Sequence, residues 1–302
     1  MIEKILKTFK NKSICVFGGT GTIGSIIIEH LRKFSPKTIR VFSNDENSLW
    51  ECQQKWKFTE FKEFHEWDKE KRIRYLLGDI RNYNRVYVAL RDIDYVFNCA
   101  AVKHVPFAEY NPLEAVNINI HGLENIIKAS VERGVEKLLH ISTDKAVEAT
   151  TLMGATKFIG ERIVQVRWTQ NPNVGMIIVR LGNVWDSRGS IIQLIKECEK
   201  SQKPIPITHP DMTRYFMTPI EVQDFILKAF REGYKGDIFV PKLKIVKLMD
   251  IIHGQVGIEY PSEIIGIRKG EKLNEKLLTE EELSNCEEHE TYWIIKNDKK
   301  VL

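Results

Sequence analysis

Ser13-Ile14-Cys15-Val16-Phe17-Gly18-Gly19-Thr20-Gly21-Thr22-Ile23-Gly24 sets the reading of the whole chain. A short apolar run reads as a buried strand, and glycines at GxxGxxG spacing follow it directly. From Ile23 to Lys33 the pattern is helical. Strand, glycine turn and helix in that order form the phosphate-binding unit of a dinucleotide site. Gly18 permits the tight turn, Gly21 lets a pyrophosphate approach the backbone, and Gly24 lets the helix pack against the strand. The helix start offers free N–H groups and the positive end of its dipole to the phosphates. Thr20, Thr22 and Ile23 lie in the same turn and join the glycines as expected cofactor contacts.

The alternation continues downstream. Thr38 to Phe42, Ile73 to Leu77, Tyr95 to Asn98, Lys137 to Ile141 and Met176 to Leu181 read as further short strands. Helical stretches separate them, the clearest being Pro112 to Arg133. Such alternation builds βαβ units and a parallel sheet. The expected fold is α/β, a Rossmann-like doubly wound parallel sheet with a smaller C-terminal α/β portion. From about residue 185 the alternation weakens, and Pro204, Pro206, Pro210 and Pro219 punctuate the chain. Residues 1–184 are therefore read as a dinucleotide-binding domain and 185–302 as a portion that closes over its crevice.

The 302 residues carry a net charge of +4, with 43% hydrophobic and 28% charged residues. That balance excludes a disordered or low-complexity chain and argues against nucleic acid as a partner. It suits an anionic small ligand held by a few placed cations. Cys15, Cys52, Cys99, Cys198 and Cys286 are scattered and form no CxxC pair. This argues against a disulfide framework or a zinc site, and for a reducing cytoplasm. The histidines show no metal-ligand spacing, so no metal is expected. No run approaches the ~20 apolar residues of a membrane span. Met1 to Lys12 reads as a short amphipathic helix on Ile2, Ile5, Leu6 and Phe9. Glu46 to Arg72 reads as a helix with an aromatic stripe, Trp50, Trp56, Phe58, Phe61, Phe64 and Trp67. Packing is its first expected role and a subunit contact its second.

Each strand ends in small or polar residues, and ligands of an open α/β sheet bind at those ends. After the second strand, an acid would hold a ribose 2′-hydroxyl and a cation would accept a 2′-phosphate. Ser43-Asn44-Asp45-Glu46 leaves both readings open, since Ser43 can donate to a phosphate and Asp45 can accept from a hydroxyl. NADP is the expected cofactor, with NAD as the alternative. Asp79 and Ile80, after the third strand, are placed to contact adenine, with a helix cap as the other role of Asp79. Ala100 and Ala101 follow the fourth strand and line the same crevice.

The fifth strand runs into Ser142-Thr143-Asp144-Lys145-Ala146, and Met153-Gly154-Ala155-Thr156-Lys157 follows. The layout resembles the short-chain dehydrogenases/reductases, with a Ser or Thr after strand five and a Tyr-x-x-x-Lys pair on the next helix. Four-residue spacing puts both side chains on one helix face. Here Met153 stands at the Tyr position, and methionine cannot carry a proton. Further matches are Ala100-Ala101-Val102-Lys103-His104-Val105-Pro106, Arg180-Leu181-Gly182-Asn183-Val184 and Ser187-Arg188-Gly189-Ser190. Thr213-Arg214-Tyr215-Phe216-Met217-Thr218 and Gly270-Glu271-Lys272-Leu273-Asn274-Glu275 complete the set. Together they resemble the UDP-N-acetylglucosamine 4,6-dehydratases of polysaccharide and nonulosonic-acid biosynthesis, over nearly the whole chain.

The resemblance implies a reaction. A hydride leaves sugar C4, giving a 4-ketone that acidifies the C5 proton. A base takes that proton, an acid protonates the C6 hydroxyl, water leaves, and the hydride returns to C6. Lys145 resembles the family's base and Asp144 its acid. Lys145 must shed its proton and Asp144 must carry one, and a proton shared between them meets both needs. With Met153 in place of Tyr, Thr143 is the nearest hydroxyl by sequence to receive the C4 proton, tuned by Lys157. Members with Met here look like the type that retains configuration at C5, so retention is expected.

The resemblance also implies a UDP-sugar pocket. Arg188 and Arg214 are candidate ligands of the diphosphate, Lys103 and Asn183 face the phosphates or sugar, and Glu275 resembles the ribose-binding carboxylate. His104 either contacts substrate or packs against its loop. The expected partners are UDP-N-acetylglucosamine or a related UDP-sugar and further copies of the chain, as a dimer or hexamer. A C5-inverting dehydratase or a 4-epimerase is the second reading. A non-catalytic dinucleotide sensor is the third, supported by the missing Tyr and opposed by Lys145, Lys157, Arg188 and Arg214.

Overall fold

The structure, a computed structural model, describes residues 7–57 and 72–297. Strand β1 (Ser13–Phe17) is buried along its whole length, with β2 (Thr38–Ser43) on one side and β4 (Tyr95–Asn98) on the other, both parallel to it. β3 (Ile73–Leu77) extends the first side; β5 (Lys137–Thr143) and β6 (Gly175–Leu181) extend the second. The order β3-β2-β1-β4-β5-β6 reverses at β1/β4, which makes that crevice the topological switch point. The linking helices are α1 (Thr22–Leu31), α2 (Glu46–Lys57), α3 (Tyr83–Ala89), α4 (Val105–Tyr110), α5 (Pro112–Val116), α6 (Leu123–Glu132) and α7 (Leu152–Gln170). Two apolar clusters, one on each face, hold α1, α2, α3, α6 and α7 against the sheet, and a third packs α4 and α5 on α7. This is the doubly wound α/β fold expected from the strand and helix alternation.

The remaining chain contributes β7 (Asn183–Val184), α8 (Ile191–Ser201), β8 (Ile205–Ile207), β9 (Thr213–Met217), α9 (Pro219–Glu232) and β10 (Lys235–Pro241). It ends with β11 (Ile245–Lys247), α10 (Leu248–Val256), β12 (Ser262–Ile264), α11 (Glu280–Asn285), β13 (Glu287–Glu288) and β14 (Tyr292–Ile295). Part of it builds a small apolar cluster from α8, β8 and α10 above the crevice. Part returns to the main sheet: β10 lies parallel to β6, and β14 runs antiparallel on its far side. Helix α9 packs on α1, begun by a Thr218–Glu221 capping box with Pro219 in its first turn.

One reading needs adjustment, and two fall partly outside the described residues. The single helix expected over Pro112 to Arg133 is interrupted at Asn117–Gly122 by a π-helical segment. That widened turn buries Asn119, whose side chain bonds both backbone groups of Val102 and the Thr156 hydroxyl. Of the N-terminal helix, Phe9 is buried against Phe34 and Phe230, and Ile2, Ile5 and Leu6 lie outside the described residues. Of the aromatic stripe, Trp56 is buried and Trp50 exposed; Phe58, Phe61, Phe64 and Trp67 lie outside the described residues.

Candidate active site

The glycine turn closes tightly over the switch point. Gly18 has φ +69°, and a Cβ there would sit 2.7 Å from the Ala100 backbone nitrogen, so only glycine lets β1 and β4 end this close together. Gly21 forms the N-cap of α1 with no side-chain cap, leaving the first-turn N–H groups aimed into the crevice. Thr22, Ile23, Gly24 and Ala101 line the same cavity, and Ala100 packs beside Gly18. The cavity holds about 970 Å³ and runs from this turn to the ends of β5 and β6.

At the end of β2 the polar groups engage one another. Thr20 Oγ1 lies 2.9 Å from Ser43 Oγ, which accepts from the Asp45 backbone N–H. Asp45 accepts from the Ser48 N–H and hydroxyl at the start of α2, and those bonds hold its carboxyl below the usual range. Asn44 is exposed beside them. Asp79 accepts from Arg81, whose bonds likewise lower its carboxyl; Asn82 is the cap of α3 instead. Ile80 is buried, against Gly122.

At the end of β5, three side chains meet on one oxygen. Thr143 Oγ1 donates to Asp144 Oδ1 at 2.8 Å, and Lys145 Nζ donates to the same atom at 2.9 Å. Asp144 is fully buried, and its Oδ2 has no hydrogen-bond partner. Thr143 and Lys145 line the cavity, with Asp144 behind them. Met153 lines it too, at the first turn of α7, packed against Ala108 and Ala115.

One α7 turn on, Lys157 donates to the Ile141 carbonyl at 2.5 Å and lies 3.4 Å from His140 Nε2. Burial pulls its ammonium down to about 8. Burial and the nearby Lys157 push His140 well below its usual range. The far side of the His140 ring meets the Asn98 amide at 3.2 Å. No motif in the sequence marks His140, Asn98, Asn119 or Glu161 as site residues. Their one signal is a polar residue inside an otherwise apolar stretch.

The remaining candidates divide. Arg214 is buried and donates to the carbonyls of Thr213 and Leu273, 3.7 Å from Glu271. Glu275 is buried nearby, with Oε2 3.6 Å from Lys272 and without a hydrogen bond. Both line the far end of the cavity. Asn183 spends its amide on the Tyr215 carbonyl. Arg188 lines the same cavity: its guanidinium donates to the Thr20 carbonyl, and its backbone N–H donates to Thr22 Oγ1 at 3.2 Å. Lys103 Nζ donates to the Arg188 carbonyl at 2.5 Å, and His104 packs under Gly189. Burial lowers the pKa of both Lys103 and His104.

A family model described as polysaccharide biosynthesis protein matches residues 14–297. The chain belongs to that family. It is 41% identical to a Methanocaldococcus jannaschii protein named an uncharacterized membrane protein, over 98% of this chain and 89% of that one. It is 34% identical to a Campylobacter jejuni UDP-N-acetylglucosamine 4,6-dehydratase (inverting), over 97% and 85%. It is 35% identical to a Rickettsia bellii UDP-glucose 4-epimerase, also over 97% and 85%. Among solved structures, Pen from Bacillus thuringiensis is similar at 37% identity and a TM-score of 0.89, over 95% of this chain and 90% of that one. Polysaccharide-biosynthesis relatives thus span dehydratases and epimerases of nucleotide sugars. No helix among the described residues is long and apolar enough to cross a membrane.

Proposed function

We propose that the protein is a UDP-N-acetylglucosamine 4,6-dehydratase, making a UDP-4-keto-6-deoxy-N-acetylhexosamine. The observation that carries this is the meeting of Thr143 and Lys145 on one oxygen of Asp144, at the wall of a cavity that also holds the dinucleotide turn. A nicotinamide dinucleotide fits the crevice: the Gly18 approach and the uncapped start of α1 make a cradle for a diphosphate. When bound, it supplies the acceptor for the C4 hydride and the donor that returns it. Gly18, Gly21, Thr22, Ile23, Gly24, Ala100 and Ala101 hold its phosphates, Ser43, Asn44, Asp45, Asp79 and Ile80 its adenosine, and Lys157 its nicotinamide ribose.

The hydroxyl of Thr143 takes the C4–OH proton and passes it to Asp144 along their hydrogen bond. Asp144 then carries the proton that the departing C6 hydroxyl needs. Lys145 removes the C5 proton and returns it, so no external acid or base is consumed. Residues 185–302 supply the sugar-nucleotide end, with Arg214 on the diphosphate and Glu275 on the uridine ribose. Lys103, His104 and Asn183 shape the wall beside it. Met153 supports retention at C5, whereas the similar Campylobacter jejuni enzyme is named inverting. The Rickettsia bellii relative favours a second reading, a 4-epimerase. An epimerase needs no acid at C6, and the Thr143–Asp144–Lys145 cluster argues against it.

The protein is further proposed to work in the cytoplasm, where its free cysteines stay reduced. It is proposed to work as a homo-oligomer, through the apolar side chains exposed on α4, α5 and α7. The test is incubation with UDP-N-acetylglucosamine in deuterated water, read by proton NMR. A C6 methyl signal beside a 4-keto sugar, with ring couplings of retained C5 and deuterium at that carbon, is expected. Couplings of the inverted sugar overturn the stereochemical assignment. UDP-N-acetylgalactosamine without a methyl signal establishes the epimerase.

A further inference from the structure

We propose a second anion site at the other end of the sheet, a basic cleft of about 450 Å³ that takes a small soluble molecule carrying a diphosphate. The cleft lies beside the amino ends of β1, β2 and β3, whereas the glycine turn follows the carboxyl end of β1. It shares no lining residue with the catalytic cavity, so it stands whether or not the crevice binds a dinucleotide. Lys37, Arg40, Arg72 and Arg74 line it, and Asp92 is the one carboxylate among them. Arg40 and Arg74 are direct partners in the β2/β3 register. Like charges placed opposite each other destabilise a sheet. An anion between them removes that cost.

The guanidinium of Arg40 is held ready. Its Nη1 donates to the Ala89 carbonyl at 2.7 Å and to the Arg91 carbonyl at 2.5 Å. Its Nε and Nη2 have no hydrogen-bond partner among the described residues, which leaves three N–H donors of a fixed fork for a ligand. Lys37 and Arg74 are exposed and form no ion pair among the described residues. Burial lowers the Arg40 pKa and Arg74 and Arg91 add to that, while Cys15 and Asp92 oppose it. A carboxylate offsets only one of these charges. A phosphate group brings about −1.5 to −2, so a diphosphate matches the excess better. The cleft is walled by the sheet on one side and by the α3–β4 connection carrying Asp92 on the other. Its volume falls in the range of about 300–1,000 Å³ that small-molecule sites occupy, which favours a small ligand over a flat lipid surface.

The test is calorimetric titration with inorganic pyrophosphate, on protein first saturated with UDP and NAD so that the crevice is occupied. It is run at about 0.15 M salt, where diffuse surface attraction is screened. The expected result is a Kd below about 1 mM, weakened about tenfold or more in Lys37→Gln with Arg74→Gln. Arg74→Lys, which keeps the charge without the fork, is expected to lose only part of the affinity. No binding at millimolar pyrophosphate overturns the proposal. So does binding that the double variant retains, because the anion then sits elsewhere. The double variant should unfold at the same or a higher denaturant concentration than the unaltered protein, since it relieves the facing charges. A lower midpoint shows that those side chains have stabilising partners of their own and overturns the reading of the cleft. Co-sedimentation with vesicles of phosphatidylcholine and phosphatidic acid tests the other source of the same chemistry. Vesicle binding that the double variant loses, without pyrophosphate binding, assigns the cleft to a lipid headgroup and overturns the soluble ligand.

Discussion

Arg180 of β6 and Glu161 of α7 form a two-point ion pair, Nε–Oε1 at 3.1 Å and Nη2–Oε2 at 2.8 Å, where both residues are 1% exposed. Glu282 of α11 closes on the same guanidinium at 2.9 and 3.0 Å, and the Leu277 carbonyl at 2.8 Å. Burial opposes the charge on Arg180, and the two carboxylates outweigh it, so its pKa is raised. Glu161 also accepts from the Ser142 hydroxyl at 2.6 Å, one residue before Thr143. The guanidinium thus ties the end of β5, the helix carrying Met153 and Lys157, and the C-terminal segment after Glu275.

Removing it strands two carboxylates. Arg180→Met is expected to cost about 3–5 kcal/mol in unfolding free energy, the range for breaking one side of a buried pair. Denaturant titration measures it. A loss within 1 kcal/mol would mean that the carboxylates find other partners.

Thr143 and Asp144 share the proton relay of the first step, and Asp144 alone serves the second. Thr143→Val keeps the volume and removes the hydroxyl that bonds Asp144 Oδ1. It is expected to slow C4 oxidation about 100-fold, the scale of one proton-transfer group. Asp144→Asn removes both the acceptor at the end of that relay and the proton carrier for C6, so it should slow C4 oxidation as well and yield little C6 methyl product from any 4-ketone that forms. Single-turnover absorbance of the reduced nicotinamide, with quenched-flow NMR, distinguishes the two. A Thr143→Val enzyme that oxidises C4 at the normal rate removes the relay.

Lys157 gives a pH signature in stability. Its folded pKa, about 8, is below the 10.5 of an exposed lysine, because burial disfavours the charge. Between those values the unfolded chain binds the extra proton, so stability from this group rises with pH. Below about pH 8 both states are protonated and the penalty is constant at about 3 kcal/mol. In Lys157→Met the penalty is absent. The gap in unfolding free energy between that variant and the unaltered protein should therefore shrink from pH 7.5 to pH 10.5. A gap that stays constant would show that Lys157 is not held at a lowered pKa.

The six strands up to Leu181 were legible because each is a short apolar run closed by small or polar residues, and their observed bounds differ by at most two residues. The final strands were not. Lys235–Pro241 and Tyr292–Ile295 join the sheet from far along the chain, and nothing local names their partners. The Asn119 π-turn was equally hidden, since an asparagine in a helical pattern looks solvated until Val102 is seen against it. Arg188 shows the limit most sharply. A loop arginine in a phosphate-handling chain announces an anion, but only the Thr20 contact shows which wall of the cavity it leans on.

The exposed apolar side chains offer a last prediction. Phe107 is 69% exposed, Tyr110 87% and Leu113 75%, on the short helices α4 and α5 that pack against α7. Helix α7 adds Phe158, Ile159 and Val166, also exposed. Apolar groups gathered on neighbouring helices beside β5 are costly in water and mark an interaction face. A two-fold partner would bury the same patch on both copies. Light scattering coupled to size exclusion should therefore report a dimer or a multiple of it at micromolar concentration. Tyr110→Glu with Leu113→Glu should yield monomers that keep their circular dichroism, because neither residue belongs to the buried core. A monomer before any substitution would leave those helices without the proposed partner and remove the oligomer from the reading.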